Sequence, residues 1–200
     1  MSIDNLKATV SGRNGLARTN RFKIVMFPPV EAFDSALDVR DLSILCDSTT
    51  MPGRQIGTAD HSYYRQSMKV ANSYINEDVE FKFNLTNDFF IKDIFSKWTN
   101  LIINRDTYKL NYASAYKRDV AIYQQDIQDQ TIYAVKLINA FPITVTAQTL
   151  DSGDAAIQQL SVSFTYEDFE ELIVPQPAAP IQNIGTLGAT DLPRNNPNFA

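Results

Sequence analysis

The stretch from Val79 to Ile103 constrains the fold most, because a strand pattern passes directly into a helix pattern. Apolar and polar residues alternate from Val79 to Thr86, the period of a half-buried strand. Apolar residues then recur at helical spacing, at Ile91, Ile94, Phe95, Trp98, Leu101 and Ile102. Asn87 or Asp88 is the expected N-cap, since either side chain can accept from unpaired first-turn N–H groups. The two patterns predict one amphipathic helix packed on a sheet face, with Ile94, Phe95 and Trp98 in the core.

The composition favours β structure in one compact domain. The 200 residues include 12 Phe and 9 Tyr, which are enriched in strands. The single cysteine, Cys46, excludes an internal disulfide framework and a cysteine-based zinc site. The single histidine, His61, weakens most histidine-dependent chemistry.

Alternation and turn signals predict seven or eight strands around the one helix. Besides the strand from Val79, the expected strands are Phe22–Phe27, Val39–Cys46, Thr107–Ala113, Asp119–Gln125, Thr131–Ala140 and Leu160–Tyr166. Phe141-Pro142 is expected to end the strand before it. Residues 30–38 read as a turn or short helical piece. The predicted fold is mainly β: an antiparallel β-sandwich or barrel segment with one flanking α-helix.

Residues 54–75 permit two compatible interpretations. They hold several tyrosines and apolar residues among polar ones, and loops of this length in compact domains usually bind something. The alternative is a hairpin of two short strands, Tyr63–Arg65 and Met68–Ser73. An extended β arm would satisfy both interpretations.

The ends of the chain differ in composition from the middle. Residues 1–19 lack periodicity and are predicted to form an irregular N-terminal arm, followed by a β-domain over 20–173. Residues 174–200 are rich in Pro, Ala, Asn and Gly and cannot bury enough surface to fold alone, so we expect an extended tail held by another surface. A secretory leader and a membrane-spanning segment are not expected, which favours a protein made in a cytoplasm and no membrane partner.

Charge is unevenly distributed along the chain. The net charge is −5, yet residues 1–24 carry five basic residues against Asp4 alone. One interpretation is a solvated terminus. The other is a basic arm that docks on an acidic face of a neighbouring copy, for which the acidic run Glu167–Glu171 is a candidate.

The residue patterns of catalytic and cofactor sites are missing from the sequence. His61 lies in the polar stretch without a flanking nucleophile signature. Asp126 and Asp129 are too sparse for a calcium loop, and Gly12 and Gly15 precede a strand rather than the helix that a phosphate loop requires. We therefore predict no enzyme activity, no cofactor and no metal.

Seven segments together resemble the tail tube proteins of contractile-tailed bacteriophages of the T-even myovirus type, over about residues 15–172. They are Ala17–Phe22, Cys46–Gly53, Glu77–Thr86, Phe95–Trp98, Tyr116–Asp126, Val135–Pro142 and Val162–Tyr166. The order and spacing of these segments carry the resemblance, since each motif alone is common. The chain departs from the family pattern in longer loops at 30–38 and 54–75 and in the tail.

The resemblance implies a structural virion protein. In that family, homohexameric rings give strands to a continuous inner barrel and stack into a tube inside a contractile sheath. The implied partners are further copies of the chain, sheath and baseplate proteins, and tape-measure protein and DNA that pass the lumen without specific binding. The implied location is the virion tail, assembled in the bacterial host cytoplasm. A single-layer initiator or terminator ring remains an alternative, as does a ligand-binding β-barrel module.

The resemblance also suggests that the N-terminal arm and the loop 47–75 meet other rings, whereas the lumen candidates are chosen from the polar faces of strands. The ring-stacking candidates, in or next to the arm and in the 54–75 segment, are Arg18, Arg21, Arg54, Tyr63, Tyr64 and Arg65. The lumen candidates, on the polar faces of two strands, are Glu80, Lys82, Asn84, Ser161, Ser163 and Thr165. The acidic balance outside the first 24 residues agrees with a channel that repels phosphates.

Overall fold

The computed structural model describes residues 2–13, 15–32, 39–63, 66–148, 150–151, 153 and 157–173. The chain divides into two units, one of residues 1–17 with 175–200 and one of residues 18–174. The tail expected at 174–200 lies outside the described residues, as do residues 33–38 of the first long loop.

The N-terminal arm contains a helix where irregular structure was expected. Helix α1 spans Ile3–Ser11. The Ser2 hydroxyl accepts a hydrogen bond from the Asp4 amide at 3.3 Å, which satisfies a first-turn donor. The prediction of an irregular arm was wrong. Ile3, Leu6 and Val10 have helical spacing, but they span only two turns, and so short a pattern does not by itself indicate a helix.

The described part of the 18–174 unit holds nine strands and three α-helices. The strands are β1 (Phe22–Met26), β2 (Cys46–Thr49), β3 (Arg54–Tyr63), β4 (Gln66–Asn76), β5 (Val79–Asn84), β6 (Arg118–Gln125), β7 (Thr131–Val145), β8 (Gln159–Thr165) and β9 (Asp168–Ile173). The helices are α2 (Val39–Leu45), α3 (Phe90–Ile102) and α4 (Ala113–Tyr116), and Val30–Ala32 forms a 3-10 turn.

The main sheet is antiparallel throughout, and β7 holds its two halves together. Its strand order is β1-β6-β7-β8-β5-β2, with β9 also pairing β7. The first part of β7 pairs β6 and β9, whereas Phe141–Val145 pairs β8. Strands β3 and β4 form a separate two-stranded sheet. The mainly β antiparallel fold with a flanking helix is confirmed.

Helix α3 covers the apolar side of β5 and β8. Ile94, Phe95 and Trp98 are at most 1% exposed. The Phe95 ring lies 5.3 Å from that of Phe83, and the Trp98 ring 5.5 Å from that of Phe164. The Trp98 indole N–H donates to the Tyr116 carbonyl at 2.8 Å, which satisfies its one polar atom. This aromatic cluster places the core between α3 and the sheet.

Two predicted strands do not form. Val39–Leu45 is helical: Leu42 is 1% exposed and Ile44 is 65% exposed, although alternation would have placed them on one face. The segment expected as a strand from Thr107 to Ala113 instead forms a compact loop with a single antiparallel bridge, Ile103 to Leu110, and α4 begins at Ala113. Helical spacing from Val39 to Leu45 and local side-chain hydrogen bonds in the loop override the apparent alternation.

Three boundaries also differ from expectation. Strand β7 continues through Phe141-Pro142, because the proline lies beside an irregularity in the β7–β8 register, where its missing N–H is tolerated. Helix α3 begins after Phe89, in the left-handed region at φ 53°, and neither expected N-cap is used. Asp88 instead accepts a hydrogen bond from the Thr86 hydroxyl. The acidic run after Tyr166 leads into β9, and its four acidic residues, Glu167, Asp168, Glu170 and Glu171, are exposed.

Candidate functional site

The six lumen candidates lie together on one polar face of β5 and β8. Glu80 is paired with Ser163, and Lys82 with Ser161, so these side chains share a face. Asn84 and Thr165 extend the same face by the strand period of two. The opposite face carries the fully buried side chains Phe81, Phe83, Val162 and Phe164. We call the six-residue surface the polar face.

The polar face carries three hydroxyl groups, one amide and one charge of each sign. Glu80 and Lys82 are its charged members. At one end, the Gln159 amide donates to the Asn84 carbonyl oxygen at 3.1 Å and to an Asp47 carboxylate oxygen at 3.2 Å. Such a surface hydrogen-bonds water but offers no cluster of cations to phosphate groups.

The 54–75 segment forms a hairpin anchored at its base by Arg54. The Arg54 guanidinium pairs with the Asp168 carboxylate at 2.5 Å and lies 4.5 Å over the Phe169 ring. The Asn76 amide donates to the Glu167 carbonyl at 3.0 Å. Arg54 therefore joins the hairpin to the start of β9. The segment is a hairpin, but its strands are longer than predicted: the first is Arg54–Tyr63 rather than Tyr63–Arg65, and the second extends beyond Met68–Ser73 to Gln66–Asn76.

Beyond a register shift at Gly57/Thr58, the hairpin is amphipathic. Ala59 pairs with Val70, and His61 with Met68, so these four share one face. The Asp60–Lys69 pair lies on the opposite face. Met68 and Val70 are at least half exposed, which leaves an apolar face uncovered within the described part of the chain.

The remaining ring-stacking candidates lie elsewhere or outside the described residues. Arg21 pairs with Asp129 in the β6–β7 turn at 2.7 Å. The Arg18 carbonyl accepts from the Gln124 amide at 2.6 Å. Tyr63 is the last residue of β3, and Tyr64 and Arg65 fall outside the described residues. The structure does not bring Arg21 and Arg54 together, because their partners lie near different parts of β7.

A profile of the phage tail tube protein family matches residues 17–172. The chain belongs to the phage tail tube protein family. The match runs from just before β1 almost to the end of β9, and α1 lies outside it. No curated protein matches the chain.

Solved structures share this tail tube fold at low sequence identity. A chain of the anti-feeding prophage baseplate has a TM-score of 0.60 at 14% identity, over 80% of this chain and 98% of that one. A chain of an extracellular contractile injection system sheath–tube complex, in the extended state, has a TM-score of 0.56 at 13% identity, over 87% and 99%. A chain of the anti-feeding prophage tube-terminating cap has a TM-score of 0.57 at 12% identity, over 80% and 92%.

A cluster of hydrogen-bonded polar residues stabilises the backbone in the middle of β7, at Asn139. Glu167 accepts from the Lys117 ammonium at 2.5 Å and from the Asn139 amide at 2.6 Å. The hydrogen bond from Lys117, and next that from Asn139, hold the pKa of Glu167 below its usual value. The Lys117–Glu167 hydrogen bond also raises the pKa of Lys117. Asn139 has a φ of 54°, a conformation that asparagine tolerates better than most residues.

Asp119 extends this cluster on the neighbouring strand. Its carboxylate accepts from the Lys136 ammonium at 2.7 Å and from the Asn139 backbone N–H at 3.2 Å. The Lys136 hydrogen bond lowers the pKa of Asp119. Sequence reasoning missed these residues, since only Asn139, a turn-forming residue inside a strand pattern, signalled a special backbone position.

The described residues contain no group of three His, Cys, Asp or Glu side chains that could hold a metal ion. Cys46 is buried, and that burial raises the pKa of its thiol to about 12. In the part of the chain that the structure describes, no helix is long and apolar enough to cross a membrane.

Proposed function

We propose that this chain is the subunit of a phage tail tube, in which homohexameric rings stack and conduct DNA during ejection. The observation that carries the proposal is the family match across the whole β-domain, residues 17–172. Six-fold symmetry is supported by the related baseplate, whose structure is described as six-fold symmetrised. The role is structural and needs no catalysis.

The polar face is proposed to line the lumen. Helix α3 packs on the apolar side of β5 and β8, so the polar face looks away from the core. Because the charge of this face is balanced, DNA that touched it would release few counterions and would bind weakly. DNA could therefore slide along the wall. Glu80, Lys82, Asn84, Ser161, Ser163 and Thr165 are the proposed wall residues.

The hairpin is proposed to contact the next ring. Met68 and Val70 are at least half exposed on its apolar face. Exposed apolar patches of this kind mark protein interaction sites. Tyr63 ends β3 of the same hairpin, and Arg54 holds its base. Tyr64 and Arg65, which follow Tyr63 in the sequence, are proposed to contribute to the same contact. Arg18 and Arg21 are proposed to contribute from the start of the β-domain.

Sheath and baseplate proteins are the proposed outer and terminal partners, in the tail of a contractile virion assembled in a bacterial cytoplasm. Related folds occur in a sheath–tube complex and in a baseplate. Tape-measure protein and DNA are proposed to occupy the lumen without specific binding.

A single-layer initiator or terminator ring is the second candidate. It is favoured by the comparable similarity of the fold to baseplate and cap chains. Stacking distinguishes the two, because a terminal ring stops at one layer whereas a tube subunit repeats.

Negative-stain electron microscopy of the purified protein across a concentration series tests the proposal. Hollow tubes are the expected result. Isolated six-fold rings at every concentration would favour the terminal ring. Compact monomers at every concentration would contradict both assemblies and favour a ligand-binding module.

A further inference from the structure

The single histidine of the chain lies on the apolar face of the hairpin. His61 belongs to β3, is paired with Met68 of β4, and has an exposed side chain. Ala59 and Val70 form a pair further along the same face. Histidine is the side chain whose ordinary charge change falls between about pH 5 and pH 8. The one side chain of this kind in the sequence therefore lies on the face that is proposed to contact the next ring.

Within the described part of the hairpin, no opposite charge accompanies His61 on this face. A hollow of about 270 Å³ lies beside the imidazole, and its other lining residues are uncharged: Ala59, Val70, Ala71 and Asn72. Asp60 and Lys69 pair with each other on the opposite face, and Arg54 is at the base of the hairpin. Arg65 falls outside the described residues. An imidazolium on the apolar face would therefore lack a described partner of opposite charge there.

Contact between the apolar face and another copy would remove water from the imidazole. The neutral ring enters an apolar contact more readily than the imidazolium, because desolvation disfavours the charged form. Separate subunits therefore bind more protons than stacked subunits. By linkage, stacking strengthens as pH rises and weakens as pH falls through the ordinary histidine pKa of about 6.5.

We propose that His61 makes ring stacking pH-dependent, so that protonation of its imidazole releases the hairpin from the next ring. The inference rests on the proposed function and adds a regulation of its stacking contact. Each added subunit buries one hairpin face, so stacking at acid pH requires the release of one proton to water per subunit. One pH unit below the ordinary histidine pKa, the affinity of each contact is then about tenfold lower.

The overall charge of the chain predicts the opposite pH dependence. The net charge is −5, so copies of the chain repel one another at neutral pH. Protonation of carboxylates on acidification reduces this repulsion and favours association. Loss of stacking at pH 5.5 would therefore report a local group that must be neutral, rather than the charge of the whole molecule.

A pelleting assay at constant ionic strength measures the lowest protein concentration at which tubes form, at pH 7.5 and at pH 5.5. For the wild-type chain, this concentration is expected to be about tenfold higher at pH 5.5. His61→Gln keeps a polar side chain that cannot titrate, and it is expected to lose this increase. Equal concentrations for the wild type at the two pH values would overturn the proposal, as would an increase of wild-type size in His61→Gln.

The matched control moves the histidine to the opposite face of the same strand. His61→Gln with Ser62→His shifts the imidazole by one residue, which reverses its side of the strand. Ser62 pairs with Ser67 on the face that carries Asp60 and Lys69. This variant is expected to behave like His61→Gln. Recovery of the wild-type pH dependence would overturn the assignment to the apolar face.

A permanent charge at the same position gives a second test. His61→Lys carries a positive charge at both pH values. At pH 7.5 it is expected to need at least about tenfold more protein than the wild type to form tubes, with an unchanged circular dichroism spectrum. Tubes from folded His61→Lys protein at the wild-type concentration would overturn the proposal.

Electron microscopy of the wild-type samples separates this inference from the proposed function. Tubes at pH 7.5 with single rings at pH 5.5 would support both. Tubes at both pH values and at one concentration would overturn the role of His61 and leave the tube role intact. Single rings at both pH values would favour the terminal ring and overturn the stacking role of His61. Absence of tubes and rings at both pH values would overturn the proposed function and, with it, this inference.

Discussion

At the scale of single residues, Trp98 links three parts of the core. It is fully buried, packs on Phe95 and Phe164, and donates to the Tyr116 carbonyl. We expect Trp98→Ala to lower the free energy of unfolding by about 3–5 kcal/mol, through lost burial and an unfilled cavity. Urea denaturation followed by circular dichroism measures the change. Ile127→Ala, at a 60% exposed position, is the control and should change stability by less than about 0.5 kcal/mol. A Trp98→Ala protein as stable as the control would contradict the placement of α3.

Cys46 shows how burial controls reactivity at a single residue. Desolvation, followed by the nearby Asp47 charge, raises the pKa of its thiol to about 12, so the reactive thiolate is scarce at pH 8. We expect negligible alkylation by iodoacetamide in the folded protein and complete alkylation in 8 M urea, both measured by mass spectrometry. Rapid modification of the native protein would show that Cys46 is accessible.

At the scale of elements, β7 pairs with β6 and β9 in its first part and with β8 in its last part. The cluster around Glu167 stabilises the strand between these two parts. Its pKa is held down by the hydrogen bonds from Lys117 and Asn139, so its stabilising contribution is present above its unfolded pKa of about 4.3. That contribution is lost as pH falls through the lower folded pKa. We expect Glu167→Gln to lower the urea midpoint at pH 7 and to flatten its decline between about pH 5 and pH 3. Glu31→Gln, at an exposed position in the 3-10 turn, is the control. Parallel pH profiles for wild type and Glu167→Gln would exclude this role.

The hairpin is a separate sheet attached to the domain through its base, so it can be altered without disturbing the core. We expect Met68→Ser with Val70→Ser to leave folded subunits that assemble without stacking, because the apolar face is lost. Thr58→Ala with Ser62→Ala, on the opposite face, should preserve stacking. Tube length in electron micrographs is the measurement, and deletion of residues 54–75 is the severe form of the same test. Full-length tubes from the deletion variant would show that the hairpin does not join rings.

At the scale of the whole molecule, the polar face and α3 lie on opposite sides of β5 and β8, which gives the proposed tube an inside and an outside. We expect tubes of Ser161→Arg with Ser163→Arg to retain DNA, because binding of DNA to the added arginines releases counterions from its phosphates. DNA present during assembly should then resist nuclease. Ser96→Arg with Asn100→Arg places the same charge on the exposed side of α3, where bound DNA should remain sensitive. Equal nuclease sensitivity in both tubes would mean that β5 and β8 do not line the lumen.

The sequence by itself determined the elements whose signals are local. The alternation before Thr86 and the helical spacing after Ile91 each lie within one element, so β5, α3 and the burial of Trp98 follow from periodicity alone. The family could also be predicted from the sequence, because it is marked by the order and spacing of motifs along the chain. The family profile matches the same stretch, residues 17–172.

Tertiary structure decided everything that depends on pairing between distant segments. The polar face exists because β5 and β8, some 80 residues apart, pair in one register. Strand β9 forms on β7 despite its acidic sequence, since a sheet edge supplies partners for its backbone groups. Residues 39–45 and 107–113 resembled strands in short windows, but helical packing of the first and side-chain hydrogen bonds in the second favoured other structures. Local pattern specifies which face of an element is apolar, but only the folded chain specifies what each face meets.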